Sequence, residues 1–357
     1  MSSNPSSDSN SSSKSDYVEP HNYEPSPIDV VVTKMMLQQG LKLPAEVVLS
    51  ILDFAEYWPH TSATLDSSFI TMSGGDRENR FVLRTKPLGL IKTPKDEHGY
   101  TFTRVEPKPL PDGAEYPVSQ FQTWIGGPTD TIQYPCRKIV FTITSHDQGW
   151  SNTARQDRGS YRGSYTWCEA GLERFGRSAD PESTSDEKAA AGVSVERRVS
   201  TEEAPAEATE GESSKLAALS EKPSDHQGDP SPEFNDDSSD PYPPVHDLRP
   251  IYPTLEPNAD PPALHFDLLA SPRYTIQHNK TATRNPTTHT VVWSWNDNID
   301  PPTAQQLKDN GRGEETGTGD FVRNLKLGDV VTVWAKSRFG GWANHVDAVK
   351  VDIYWAL

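Results

Sequence analysis

His146 and Asp147 are adjacent in the segment SHDQGW, and a histidine beside a carboxylate is the smallest unit that can act as a base with its orienting group or as two metal ligands. Successive side chains at a strand end point to opposite faces, so the two diverge, and the sequence names no third partner. The histidines at 265, 278, 289 and 345 are scattered singly, without the i, i+4 spacing that places two ligands on one helix face. There is no G-x-S-x-G nucleophile turn, no Walker loop and no G-x-G-x-x-G following a strand; Gly311-Arg312-Gly313 reads as a polar loop. Cys136 and Cys168 are too few for a disulfide framework or a four-thiolate zinc site, and they read as free thiols. An enzyme is not indicated, no cofactor or metal is implied, and a hydrolase around His146 is the third choice of function.

A second pattern carries binding chemistry. The stretches IVFTITSHDQGWSN (139–152) and VTVWAKSRFGGWAN (331–344) align without a gap and share Ser145/Ser337, Gly149/Gly341, Trp150/Trp342 and Asn152/Asn344. Each reads as a strand that exits into a glycine turn presenting a tryptophan, whose indole N–H needs an acceptor. The structural expectation is that each indole folds back as a buried cap on the sandwich, with each Asn bonding the loop backbone. The ligand reading makes Trp150, Asn152, Trp342 and Asn344, with His146 and Asp147, a sugar platform, since aromatic plates and polar edges match the two kinds of surface on a pyranose.

The elements that must hold these loops follow a period of two. Ile139, Phe141 and Ile143 alternate with Val140, Thr142 and Thr144; Val291, Trp293 and Trp295 with Val292 and Ser294; Val349, Val351, Ile353 and Trp355 with Lys350, Asp352 and Tyr354. Segments 81–85, 164–168, 274–278 and 330–336 fit the same template, between Gly, Pro, Asn and Asp turns. The exception is 41–58, LKLPAEVVLSILDFAEYW. There Val47, Val48, Ile51, Leu52, Ala55 and Trp58 recur at helical spacing, with Pro44 in the first turn and Pro59 as the stop. A shorter helix over 29–39, closed by Gly40, precedes it.

Composition sets the boundaries. The 357 residues carry a net charge of −17, which argues against nucleic acid as a partner. Residues 177–247 hold 18 Asp/Glu and 6 Lys/Arg, a net of −12, so most of the acidity belongs to one insert. That insert and the Ser-rich N-terminus have little to bury and read as disordered. No apolar run approaches the roughly 20 residues of a membrane span, so no membrane role is expected, and the N-terminus lacks a secretion signal, which predicts a cytoplasmic or nuclear protein. The expected class is mainly β: an antiparallel β-sandwich or jelly-roll-like unit with one or two N-terminal helices and a long disordered acidic insert. The divisions are a tail over 1–26, a helical segment over 27–59, sandwich strands over 60–176, the acidic linker over 177–250, and the remaining strands over 251–357.

The segment LPAEVVLSILDFA (43–55), with Leu43, Pro44, Glu46, Val48, Ile51 and Leu52 in its pattern, resembles the opening helix of an F-box. The resemblance implies docking onto the Skp1 adaptor of a ubiquitin ligase through that helix. The combination AEYW, SHDQGW, GSYTW, VVWSW and VTVWAK followed by GWANHV is similar to a group of filamentous-fungal proteins, a likeness that implies no activity. The pairing of such a helix with a β-sandwich is also similar in architecture to phloem-lectin-like proteins, which implies a glycan as an alternative ligand. The function expected first is a non-enzymatic binding module for a protein partner.

Overall fold

The alternating segments form strands that pair into two antiparallel sheets. The computed structural model describes residues 23–75, 77–90, 103–111, 113–121, 125, 133–177 and 245–357. Most of the expected N-terminal tail and nearly all of the acidic linker lie outside the described residues.

Among the described residues the α-helices are, in chain order, α1 (Pro27–Met35), α2 (Ala45–Phe54), α3 (Pro301–Asp309) and the single turn α4 (Asp320–Arg323). The strands are β1 (His60–Leu65), β2 (Phe69–Met72), β3 (Asn79–Arg84), β4 (Ala114–Glu115), β5 (Cys136–His146) and β6 (Thr166–Arg177). They continue with β7 (Leu248–Tyr252), β8 (Thr275–His278), β9 (Thr287–Ser294), β10 (Val330–Ser337) and β11 (Ala343–Trp355). Among the described residues, the first sheet runs β1-β11-β5-β9, with β2 continuing the β1 edge along β11. The second runs β3-β10-β6, and the far edge of β6 is shared by β8, β7 and β4. All these pairs are antiparallel, and strands from both sides of the acidic segment pair with each other, Phe175 opposite Leu248 and Val331 opposite Leu172.

The inward residues of the two sheets make one core. Ile139, Phe141 and Ile143 of β5, Val291 and Trp293 of β9, and Val349, Val351, Ile353 and Trp355 of β11 meet Val82 and Leu83 of β3. Cys168 and Ala170 of β6 and Val331, Val333 and Ala335 of β10 complete it. Both thiols are buried and free, and burial pushes the Cys168 thiol up to about 12, so neither is poised as a nucleophile.

The outer face of the second sheet departs from simple alternation. Every residue of β10 is buried: segment 253–274 roofs the Trp334 end of that face, with Phe266 set edge-on to Trp334 at 5.1 Å, and Val330 packs with Leu90, Phe121, Phe175 and Leu248. Gly171 permits the close approach: a Cβ there would lie 2.6 Å from the Tyr252 carbonyl oxygen and 3.1 Å from Trp334 Nε1. Under the roof Lys336 pairs with Glu169, and a second ion pair removed from water, Arg84 with Glu173 (2.8 and 2.9 Å), lies beside Val105, Leu110 and Leu248.

Four boundaries differ from the sequence expectation. Ser26 is not tail; its hydroxyl caps α1 in a reciprocal capping box with Asp29. The second helix ends at Phe54 rather than at Pro59, because Glu56 adopts φ 48° and the Tyr57 and Glu56 amides bond back to Leu52 and Asp53, closing a Schellman turn on a non-glycine residue. β7 begins at Leu248, inside the stretch assigned to the acidic linker. Helix α3 falls in a region read as strands and loops; its signals were Asp300, whose side chain accepts from the Thr303 amide, and Pro at the first helical positions.

Candidate functional site

The two aligned loops lie at one end of the sandwich, and their turns share a geometry. Gly149 and Gly341 both take positive φ, 81° and 91°, where a Cβ would be strained. Trp150 lies over Gly341, whose added Cβ would stand 3.1 Å from the indole. Gln148 ties the loops together, its Nε2 donating to the Trp150 carbonyl and its Oε1 accepting from the Ala343 amide at 3.0 Å.

The six candidate residues have different fates. Asp147 is fully buried, and its carboxylate accepts from the amides of Gly149 (2.7 Å), Ala282 (2.5 Å) and Thr283 (2.8 Å). Burial pushes its carboxyl up while those amides pull it down. His146 hydrogen-bonds the Asp147 carbonyl through Nδ1 and stacks on His345, ring centroids 4.5 Å apart. Burial, and then His146, push the His345 imidazole down. Parallel stacking turns the ring nitrogens away from a shared centre, and among the described residues no group of three His, Cys, Asp or Glu is placed to hold a metal.

Asn344 is buried and committed: it donates to the carbonyls of Trp167 (2.9 Å) and Lys336 (3.2 Å) and accepts from Asn279 Nδ2 (2.8 Å). Asn279 also donates to Thr166 (3.0 Å) and accepts from Ser145 (2.6 Å), so this network clamps the two sheets together. The cap reading expects loop backbone as its partner; Asn344 instead bonds strand backbone, of β6 and β10. Trp342 is half-buried, edge-on to Tyr165 at 5.4 Å.

Trp150 overturns the buried-cap expectation, since 54% of its surface is exposed; Asn152 is exposed as well. The loop is held by Asp147 and Gln148, so the indole is not needed to close it. Trp150→Ala is therefore expected to change the unfolding free energy by less than about 1 kcal/mol, with Trp342→Ala costing more, as measured in parallel urea melts.

The helical segment offers a second candidate surface. Val48 and Leu52 of α2 pack with Val30 of α1, Leu37, Leu43, Tyr57 and Leu357, which joins the two helices to each other and to the residues after β11. Asp53 anchors the end of α2 to β5: it receives Arg137 Nε at 2.8 Å and Nη2 at 3.1 Å, and Trp58 Nε1 at 2.9 Å. Pro44 and Glu46 are exposed at the start of α2.

With that face satisfied, each helix turns a second apolar stripe to solvent. On α1 it is Ile28, Val32 and Met35; on α2 it is Val47, Ile51 and Phe54, in both cases at i, i+4 and i+7. Phe54 is 94% exposed. Of the six docking candidates, Ile51 belongs to this outer stripe, while Val48 and Leu52 face inward. The sequence reading missed Phe54 and the whole α1 stripe. The available signal was that α2 carries apolar residues at two sets of helical spacing, more than one buried face uses.

A β-sandwich bearing a helical hairpin with two apolar faces is the class that fold and sites define. No protein-family model matches the chain, and no curated protein or solved structure matches it. No helix among the described residues is long and apolar enough to cross a membrane.

Proposed function

We propose that the protein is a non-enzymatic docking module whose α1–α2 hairpin recruits another protein, the Skp1 adaptor being the partner that the resemblance at 43–55 names. The observation that carries the reading is the solvent-facing stripe on both helices, above all Phe54. A large aromatic side chain at 94% exposure gains nothing for the fold and is the kind of anchor that dominates interface energetics. The helices are fixed to the sheets by the Asp53–Arg137 pair and by Lys34, whose ammonium donates to the Leu357 carbonyl at 2.9 Å, so the stripe is presented on a rigid support. An adaptor of this kind works in the cytoplasm or nucleus.

Purified Skp1 mixed with the full chain tests it. Phe54→Asp and Ile51→Asp are expected to weaken capture by about 2 kcal/mol or more, roughly 30-fold, while leaving the thermal midpoint nearly unchanged. Val48→Asp is the folding control, because it places a charge in the inner face. Absence of Skp1 binding by the parent chain, or capture unaffected by both outer-face substitutions, overturns the proposal.

A further inference from the structure

The end of the sandwich that carries Trp150 is built from stretches of chain locked to one another. The loop over 151–163 lies between β5 and β6, and 280–284 lies between β8 and β9. Thr281 ties the two together: its amide donates to the Ser160 carbonyl, its carbonyl accepts from the Gly159 amide, and its hydroxyl donates to the Arg162 carbonyl, each at 2.8 Å. Asp147 fastens the turn before Trp150 to the same place through the amides of Ala282 and Thr283.

What this framework displays is positive charge, on a chain whose net charge is −17. Arg155, Arg158 and Arg162 on the first loop and Arg284 on the second are exposed, and Lys280 is half-buried. Within 148–165 and 279–290 the one carboxylate is Asp157. Arg162 pairs with Asp309 at 3.4 Å, both side chains exposed, whereas Arg155, Arg158, Lys280 and Arg284 make no ion pair among the described residues. Of the acids at the adjoining strand ends, Asp147 is held by three amides and Asp347 faces His345. Like charges fixed on one framework repel one another, and an anionic partner relieves that repulsion.

Two of these cations frame an aromatic anchor. The Arg284 side chain lies across Gly149, where an added Cβ would stand 2.7 Å from its Cδ and Nε, so the glycine leaves the space that the arginine occupies. Arg158 Nη2 donates to the Ser151 carbonyl at 3.4 Å. The two arginines therefore meet the backbone on either side of Trp150, whose indole is 54% exposed. On the other Gly-Trp loop Phe339 is exposed as well, with Tyr165 set edge-on to it at 4.5 Å. Guanidiniums are suited to carboxylates, and an exposed indole among them adds the apolar contact that anchors an interface. The side chains stand on open loops, which fits an extended chain better than an enclosed small molecule. The acidity of the whole protein disfavours nucleic acid as that chain.

We infer that the Trp150 end of the sandwich binds an acidic segment of a partner protein, with Arg155, Arg158 and Arg284 receiving its carboxylates and Trp150 its aromatic side chain. Fluorescence anisotropy of a labelled peptide of Asp and Glu around a central Phe, titrated with the full chain, tests it. The peptide is expected to bind with a Kd of about 100 μM or tighter. Raising the ionic strength from about 0.05 to about 0.3 M is expected to weaken it about tenfold. The same peptide with Asn and Gln for its acids, or with Ala for its Phe, is expected to bind about tenfold more weakly. The double substitution Arg158→Glu with Arg284→Glu, and Trp150→Ala alone, are each expected to weaken the acidic peptide about tenfold, with the thermal midpoint held within about 2 °C. No saturable binding of the acidic peptide, equal binding of its neutral counterpart, binding untouched by both variants, or tighter binding of oligothymidylate or phosphatidylserine vesicles overturns the inference. Skp1 capture reads α1 and α2 instead, so failure here is distinguishable from failure of the docking proposal.

Discussion

Lys336→Met is expected to destabilise the protein by about 3–5 kcal/mol, read from urea unfolding at neutral pH. Lys336 and Glu169 are each 1% exposed or less, and their side chains pair with each other under the rings of Tyr252 and Phe266, which lie 5.9 and 5.2 Å from the ammonium. Removing the lysine leaves Glu169 with the Ser271 amide at 3.1 Å as its remaining hydrogen bond, in a site that water does not reach. The cost is that of a stranded carboxylate rather than the worth of the pair. The double substitution Lys336→Met with Glu169→Gln should therefore recover most of the loss, since neither charge is then buried alone. Equal stability of the single variant and the parent would show that Glu169 is solvated or protonated in place.

Asp147→Ala is expected to cost about 3 kcal/mol, and to speed hydrogen exchange selectively at the amides of Gly149, Ala282 and Thr283. Three partly buried N–H groups lose their acceptor together, so the effect exceeds that of one ordinary hydrogen bond. The same geometry answers the catalytic reading of this residue: both carboxylate oxygens are used in joining the 147–149 turn to 282–283. Exchange rates unchanged at those amides would place their acceptor elsewhere.

The first sheet was legible because its outer face meets solvent. In β11, Val349, Val351, Ile353 and Trp355 are buried while Lys350 is exposed, and the period of two states that directly. The second sheet obeys the same period but hides both faces, so Thr332, Trp334 and Lys336 are buried as completely as Val331, Val333 and Ala335. Nothing in the local pattern reports a roof made of irregular chain. The paired tryptophan loops were legible as loops, down to the glycine at positive φ in each, yet not the unequal burial of their indoles, which depends on which loop lies over the other.

The order of strands along the chain has a consequence for how the protein comes into being. Among the described residues β1 and β2 pair only with β11, and β3 only with β10, while β5 waits for β9 and β11. During synthesis the N-terminal strands therefore emerge with their hydrogen-bonding edges and apolar faces open, and they stay so until β10 and β11 have left the ribosome. A nascent chain in that condition is the natural client of a holding chaperone. Premature termination before β10 would leave three strands without any partner, so shortened products should be cleared or aggregate rather than persist as smaller folded domains.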